Sequence, residues 1–270
     1  MRAGDRAAVA AVIRRDLTAV RRSKAVVIPM LVVPLILLVL LPLGIGLAAR
    51  AQEDPDVGFY LSRLPQAVVE PILRLPPDEQ LIVLVSGYLL APLFLIVPLM
   101  VAAVLAADAF AGEKERRTLE TLLHLPIPDR QLFLAKVLGA FLPAVAVSWI
   151  GFVAFAVITN TVAWPVTQRV FVPTRLWAVV ILWVGPAVAA LGMGVMVRVS
   201  ARARTVQEAS QLGGAVILPL IFLAVGQSTG LLLVTLPVAV GIGAVVWALA
   251  LWLILRGARR FTRDRLLSGT

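Results

Sequence analysis

Residues 111–129 read AGEKERRTLETLLHLPIPD. Glu113, Lys114, Glu115, Arg116, Arg117, Glu120 and Asp129 crowd together there, in a chain that is 60% hydrophobic and only 15% charged. Charges this dense can pair with one another or grip a partner. Covalent catalysis lacks its parts. There is no cysteine, which removes thiol nucleophiles, disulfides and thiolate metal sites. Hydrolysis at Ser86 or Ser148 would need a neighbouring base, and the single histidine, His124, stands among leucines at the end of the charged stretch. No G-x-x-x-x-G-K-[ST] pattern occurs, so nothing in the chain cradles nucleotide phosphates.

Placed on a helix, Glu113, Arg116, Arg117 and Glu120 share a side, and Glu113–Arg117 and Arg116–Glu120 repeat the i,i+4 spacing of helical ion pairs. Leu119, Leu122 and Leu123 form a separate apolar stripe at i, i+3, i+4. Pro126 and Pro128 end that helix, and Asp129 is placed to cap the next. Between Asp108 and Lys136 there are five acids and five bases, too balanced an array to anchor on anionic headgroups. Two readings stay open: a solvated helix closed by its own weak ion pairs, about 0.3–0.5 kcal/mol each, or a docking surface whose leucines fill a socket on a partner. On the second reading, reversing Glu113 or Glu115 to lysine is expected to weaken docking and leave folding intact.

The elements that must position this block are read from where charge is missing. Mean hydropathy is +0.97, and a soluble domain of this size carries about 25% charged residues. No Asp, Glu, Lys or Arg occurs in 25–49, 81–107, 137–160, 176–197 or 209–255. About 20 apolar residues cross a hydrocarbon core of roughly 30 Å. Four of these runs fit one crossing each, and the fifth is divided by Gly226-Gln227-Ser228-Thr229-Gly230. The expectation is an all-α polytopic membrane protein forming one domain over 1–270, with six spans near 25–49, 81–107, 137–160, 176–197, 209–225 and 231–255. Lipid offers backbone groups no partners, so the spans are helical. Pro34, Pro98, Pro143, Pro186 and Pro219 inside them predict kinks, and Gly192-Met193-Gly194 predicts close helix packing.

Lys and Arg set the orientation. Segments 1–24, 108–136, 198–208 and 256–270 hold 20 of the 25 basic residues, and 50–80 and 161–175 hold five. Both termini are therefore expected in the cytoplasm, with the loop 108–136 beside them. The same asymmetry accounts for the net charge of +10 without nucleic acid. Before the first span, Val9, Ile13, Leu17 and Val20 lie opposite Arg14, Arg15, Arg21 and Arg22, the pattern of an elbow helix lying flat in the interface. The proline-rich segment 50–80 reads as a small, partly helical external cap. Trp164 and Trp177, in and just after the second external loop, 161–175, are expected at or near the interface on the same side.

With these residues in view, the block resembles the loop between the second and third spans of ABC-2 type transporter permeases, and is closest to their sodium-extrusion and multidrug branch. That family's pattern is Glu-Lys-Glu-Arg-x-Thr-Leu-Glu-x-Leu-Leu, then a proline, then a lysine in the next helix. Glu113, Lys114, Glu115, Arg116, Thr118, Leu119, Glu120, Leu122, Leu123, Pro126 and Lys136 match it. Thr205-Val206-Gln207-Glu208-Ala209 and the tail Arg260–Leu267 agree as well. Arg117 stands where the family usually has glycine, and Ala135 where glycine often precedes the lysine. The large external domain of some sodium-extrusion relatives is missing.

The resemblance implies a non-hydrolytic membrane subunit of an ATP-driven exporter in the cell membrane. It implies a coupling helix over Glu113, Lys114, Glu115, Arg116, Arg117, Thr118, Leu119, Glu120, Leu122 and Leu123, inserted into a separate nucleotide-binding ATPase subunit, two copies per transporter. It also implies a second permease copy or homologue. ATP and magnesium would sit on the ATPase, with no cofactor or metal on this chain. Ser86, Tyr88, Ser148, Asn160 and Gln211 are the polar groups expected along the substrate pathway. All are neutral, which favours a hydrophobic or amphiphilic cargo. The rival reading is an ion- or proton-coupled secondary transporter, which would want ionisable groups at membrane depth. An intramembrane hydrolase and a structural scaffold are weaker rivals.

Overall fold

The computed structural model describes residues 14, 18, 24–51, 58–62, 66–116, 128–203, 205–228 and 235–260. The described residues are helical and contain no strand. Helix α1 covers 24–51. Two short helices follow, α2 (Gly58–Leu61) and α3 (Gln66–Leu73), which give the segment 50–80 its expected partly helical character. Helix α4 covers 77–115 and α5 is Asp129–Thr167. Helix α6 covers 175–200, α7 covers 206–228 and α8 is Leu236–Arg260. Six of these are long and apolar enough to cross a membrane: α1, α4, α5, α6, α7 and α8. The elbow helix expected over 1–24 lies outside the described residues except for Arg14, Thr18 and Lys24, and so does the tail beyond residue 260.

Two spans exceed by a wide margin the charge-free runs that predicted them. The second extends to Glu115 and the third begins at Asp129, so the charged residues flanking these runs are helical. Pro128 precedes the first turn of α5, and Asp129 is that turn's acid rather than its cap. A carboxylate there still favours the positive end of the helix dipole.

Prolines shape the helices by loosening turns ahead of them. Three π-helical turns occur, at Ile36–Leu40, Val85–Leu89 and Val180–Val184. Each stands just before a proline: Pro42, Pro92 and Pro186. A proline offers no N–H to the carbonyl four residues back, and its ring crowds that carbonyl. The chain widens locally into i→i−5 bonds: Leu41 N–H to Ile36 O, Leu90 N–H to Val85 O, and Gly185 N–H to Val180 O. Side chains meet carbonyls in or beside these turns. Trp177 Nε1 donates to Ser86 O at 3.0 Å, Gln227 Nε2 to Tyr88 O at 2.7 Å and Trp149 Nε1 to Ile181 O at 3.2 Å.

Helices α4 and α6 form the centre of the bundle, packed on each other and flanked by α5 and α8. Gly192 and Gly194 permit this. A Cβ at Gly192 would meet Leu99 of α4, and one at Gly194 would meet Leu253 of α8 at 3.0 Å. The two glycines serve opposite neighbours, as the close-packing reading expected. The core is aromatic where α4, α5 and α6 converge: Phe94, Phe152, Phe155 and Trp177 have ring centroids 4.9–6.0 Å apart. Trp177 corrects its sequence assignment. It is fully buried, because its ring fills this junction and its indole N–H meets a loosened turn. Trp164, 53% exposed, fits the interfacial role.

Candidate functional site

The charged block begins inside α4, not after it. Glu113, Lys114 and Glu115 are the last residues of the helix and Arg116 is its C-cap. Each of these four consecutive side chains reaches a different element. Glu113 is buried, and its Oε2 lies 2.6 Å from Lys136 Nζ of α5. Lys136 is 1% exposed, donates also to Ala109 O at 2.8 Å, and sits 5.7 Å from the centroid of the Phe110 ring. This is a buried ion pair closed by a backbone acceptor and an aromatic face, the surroundings that compensate two desolvated charges.

The next two residues hold the turn between α6 and α7. Lys114 Nζ donates to Ser200 O at 2.8 Å and to Ala201 O at 2.9 Å, the last carbonyls of α6. Glu115 Oε2 accepts from Val206 N–H at 2.9 Å, in the first turn of α7. The α7 start is capped independently, by Thr205 Oγ1 accepting from Glu208 N–H at 3.1 Å. A cation thus rests on the negative end of one helix and an anion on the positive end of the next, each the favourable sign. Sequence dictates the geometry: consecutive helical positions project about 100° apart, so neighbouring side chains reach different elements.

Arg116 folds back, with Nη2 at 2.7 Å from Oδ1 of buried Asp108. Gly112 makes room for the arrangement. A Cβ there would lie 3.0 Å from Asp108 Oδ1 and 3.3 Å from Val206 Cγ2.

The contacts described for this block run beyond the local i,i+4 spacing. Glu113 pairs with Lys136 and Arg116 with Asp108, while Arg117 and Glu120 lie outside the described residues, as do Thr118, Leu119, Leu122 and Leu123. Sequence reasoning missed Asp108, whose signal was its place as the first charge after the second apolar run. It noted Lys136 without assigning its partner. The acceptors at Ser200 and Ala201 are main-chain oxygens and leave no trace in residue type.

The five pathway residues are spread over α4, α5 and α7. Ser86 and Tyr88 share the π-turn of α4, with Ser86 buried and Tyr88 half-buried. Ser148 is buried midway along α5. Asn160 is fully engaged: its Nδ2 donates to Ala156 O and Val172 O, and its Oδ1 accepts from Phe171 N–H and Val172 N–H. It staples the end of α5 to the chain leading into α6. Gln211 is exposed on α7 near the end where Glu115 binds. At the opposite end of the bundle, Glu79 of α4 pairs with Arg169 beyond α5 at 2.5 Å. Among the described residues, no cluster of His, Cys, Asp or Glu could hold a metal ion.

Residues 10–255 match a family model described as ABC-2 family transporter protein. No individual curated protein matches the chain.

Proposed function

The chain belongs to the ABC-2 transporter family, and from that membership we propose that it is the permease subunit of an ATP-driven exporter. The observation that carries this is a family match running from residue 10 to residue 255, which takes in five candidate spans and most of the sixth. In this reading a separate nucleotide-binding subunit, in two copies, holds ATP and magnesium. A second permease completes the dimer, and ATP-driven closure of the ATPase pair alternates access to the pathway. The 20-to-5 distribution of basic residues puts both termini and the 116–128 connection on the cytoplasmic side of the cell membrane.

Docking falls to the connection itself: Arg117, Thr118, Leu119, Glu120, Leu122 and Leu123. The four residues before it also relay, since each makes a contact with the bundle. Reversing Glu113 or Glu115 is thus no clean probe of docking, because each change also strips a contact between helices. The leucines are the better probe. Truncating one anchor of this kind costs roughly 1–3 kcal/mol of binding.

Cargo in this reading is hydrophobic or amphiphilic. Within the charge-free runs the buried polar side chains among the described residues are Ser86, Ser148, Thr159 and Gln227, all neutral, and they offer little compensation to a naked ion. The rival secondary transporter draws on one observation, the buried Glu113–Lys136 pair. One experiment separates the two. The permease is co-expressed with candidate phosphate-loop ATPases from its own genome, and any complex is reconstituted in vesicles. The exporter reading expects co-purification and lipophilic-dye transport that requires ATP and is lost in Leu119→Ala/Leu122→Ala. Transport driven by a proton or sodium gradient without ATP overturns it.

A further inference from the structure

Helices α6 and α8 approach closely at the end of the bundle that carries the charged block. A Cβ at Gly194 would meet Leu253, and one at Gly257 would meet Val197 at 3.0 Å. The approach brings two arginines to one ring. Arg198 of α6 and Arg256 of α8 place their guanidinium carbons 5.6 Å and 5.2 Å from the centroid of Trp252. Both arginines are exposed, and the indole is 50% exposed. Arg259, also exposed, follows Arg256 at i+3 on the face of α8 that holds Trp252. None of the ion pairs among the described residues involves Arg198, Arg256 or Arg259. The charged block a few residues away finds a partner for every charge from Glu113 to Arg116, so this unpaired cationic cluster is a local exception.

Below the cluster the same face of α8 turns apolar. Trp252 is preceded at i−3 by Leu249 and at i−7 by Val245, 49% and 59% exposed. From Val245 to Trp252 the helix rises about 10 Å, most of one leaflet of a hydrocarbon core roughly 30 Å thick. An apolar track is capped by an interfacial indole and then by fixed guanidinium groups. Stacking on the ring pre-orients those groups and leaves their N–H edges free for a bidentate oxyanion.

We propose that this face is a binding site for an anionic phospholipid. The headgroup phosphate lies between Arg198 and Arg256, Arg259 adds a third cation, and an acyl chain runs along Trp252, Leu249 and Val245. The apolar track commits the site to a lipid: a soluble acidic partner would gain from the arginines and nothing from side chains at hydrocarbon depth. The inference is independent of the exporter reading, since it rests on α6 and α8 alone.

The test uses the purified full-length permease in mild detergent, given phosphatidylglycerol or phosphatidylcholine with identical acyl chains. Retained lipid is counted by native mass spectrometry and the melting temperature is followed. Wild type is expected to retain phosphatidylglycerol preferentially and to melt at a higher temperature with it, an effect weakened by salt. Arg198→Gln/Arg256→Gln is expected to lose roughly tenfold in that preference while melting like wild type in phosphatidylcholine. Arg198→Lys/Arg256→Lys should recover only part of it, because a lysine is a point charge without the fork. Equal preference in wild type and the glutamine variant overturns the proposal. So does equal stabilisation by inorganic phosphate, which would mark a free-anion site, or acquisition of the preference only after an ATPase subunit is added, which would mark a protein surface.

Discussion

Lys136 shows what a single residue can be asked to do in this molecule. Its ammonium has left water almost completely, and Glu113, the Ala109 carbonyl and the Phe110 ring replace the solvent. Removing one partner strands the other, which for a buried pair costs about 3–5 kcal/mol. Glu113→Gln and Lys136→Met are each expected to lower the melting temperature sharply. The double variant Glu113→Gln/Lys136→Met should recover most of the loss, as read by thermal denaturation in detergent. Full additivity of the two losses would mean that the charges do not interact. Gly112→Ala tests the same corner by volume. Its new Cβ crowds Asp108 and Val206, and overpacking of this kind costs about 1–3 kcal/mol. The sequence identified these residues as important but did not reveal Lys136 and Asp108 as their partners. Spacing rules see neighbours along one helix, whereas Glu113 and Arg116 answer to a lysine on another helix and an aspartate two turns back.

At the scale of elements, the bundle is joined through main-chain groups. The carbonyl loosened by Pro92 is met by Gln227 from α7, so proline and glutamine should be energetically coupled. Gln227→Leu is expected to cost about 1–3 kcal/mol by leaving a buried acceptor without its donor. The cost should shrink in a Pro92→Ala background, where the helix can supply its own N–H. A double-mutant cycle by thermal denaturation reads the coupling, and a cycle that closes at zero refutes it. The α6–α7 turn gives a second test. Lys114 and Glu115 complement helix ends rather than each other, so exchanging them should fail: Lys114→Glu/Glu115→Lys puts each sign at the wrong terminus. Lys114→Arg and Glu115→Asp keep the signs and should melt close to wild type. A stable exchange variant would show that the two side chains answer only to one another. None of this was legible in residue types, because carbonyl oxygens have no letter in the sequence. The prolines were legible as disturbances, though not which turn each would loosen.

For the whole molecule, the six spans were readable because hydrocarbon tolerates few exceptions: an unpaired charge or an open backbone group at depth is too costly to occur by accident. Span ends were less readable. Asp108, Glu113 and Lys136 extend α4 and α5 past the charge-free runs, since protein partners rather than water receive their charges: Arg116 that of Asp108, and Glu113 and Lys136 each other's. The proposed orientation is testable without background, as the chain has no cysteine. A single cysteine at Thr118 should resist an impermeant thiol reagent in intact cells and react after permeabilisation, while Ser62→Cys should show the reverse. Labelling of Thr118→Cys from outside would invert the topology. Helices α4 and α5 are also long, with candidate spans of 37 and 39 residues, or roughly 55–60 Å at 1.5 Å per residue. They are pinned near one end by Glu113–Lys136 and at the other by Glu79–Arg169. In mechanical terms the first pair is a pivot and the second a latch. Over a rod of that length, tilting α4 by about 5° against α5 sweeps the far tip roughly 5 Å. That is farther than an ion pair can stretch, so a tilt of that size would break the Glu79–Arg169 contact.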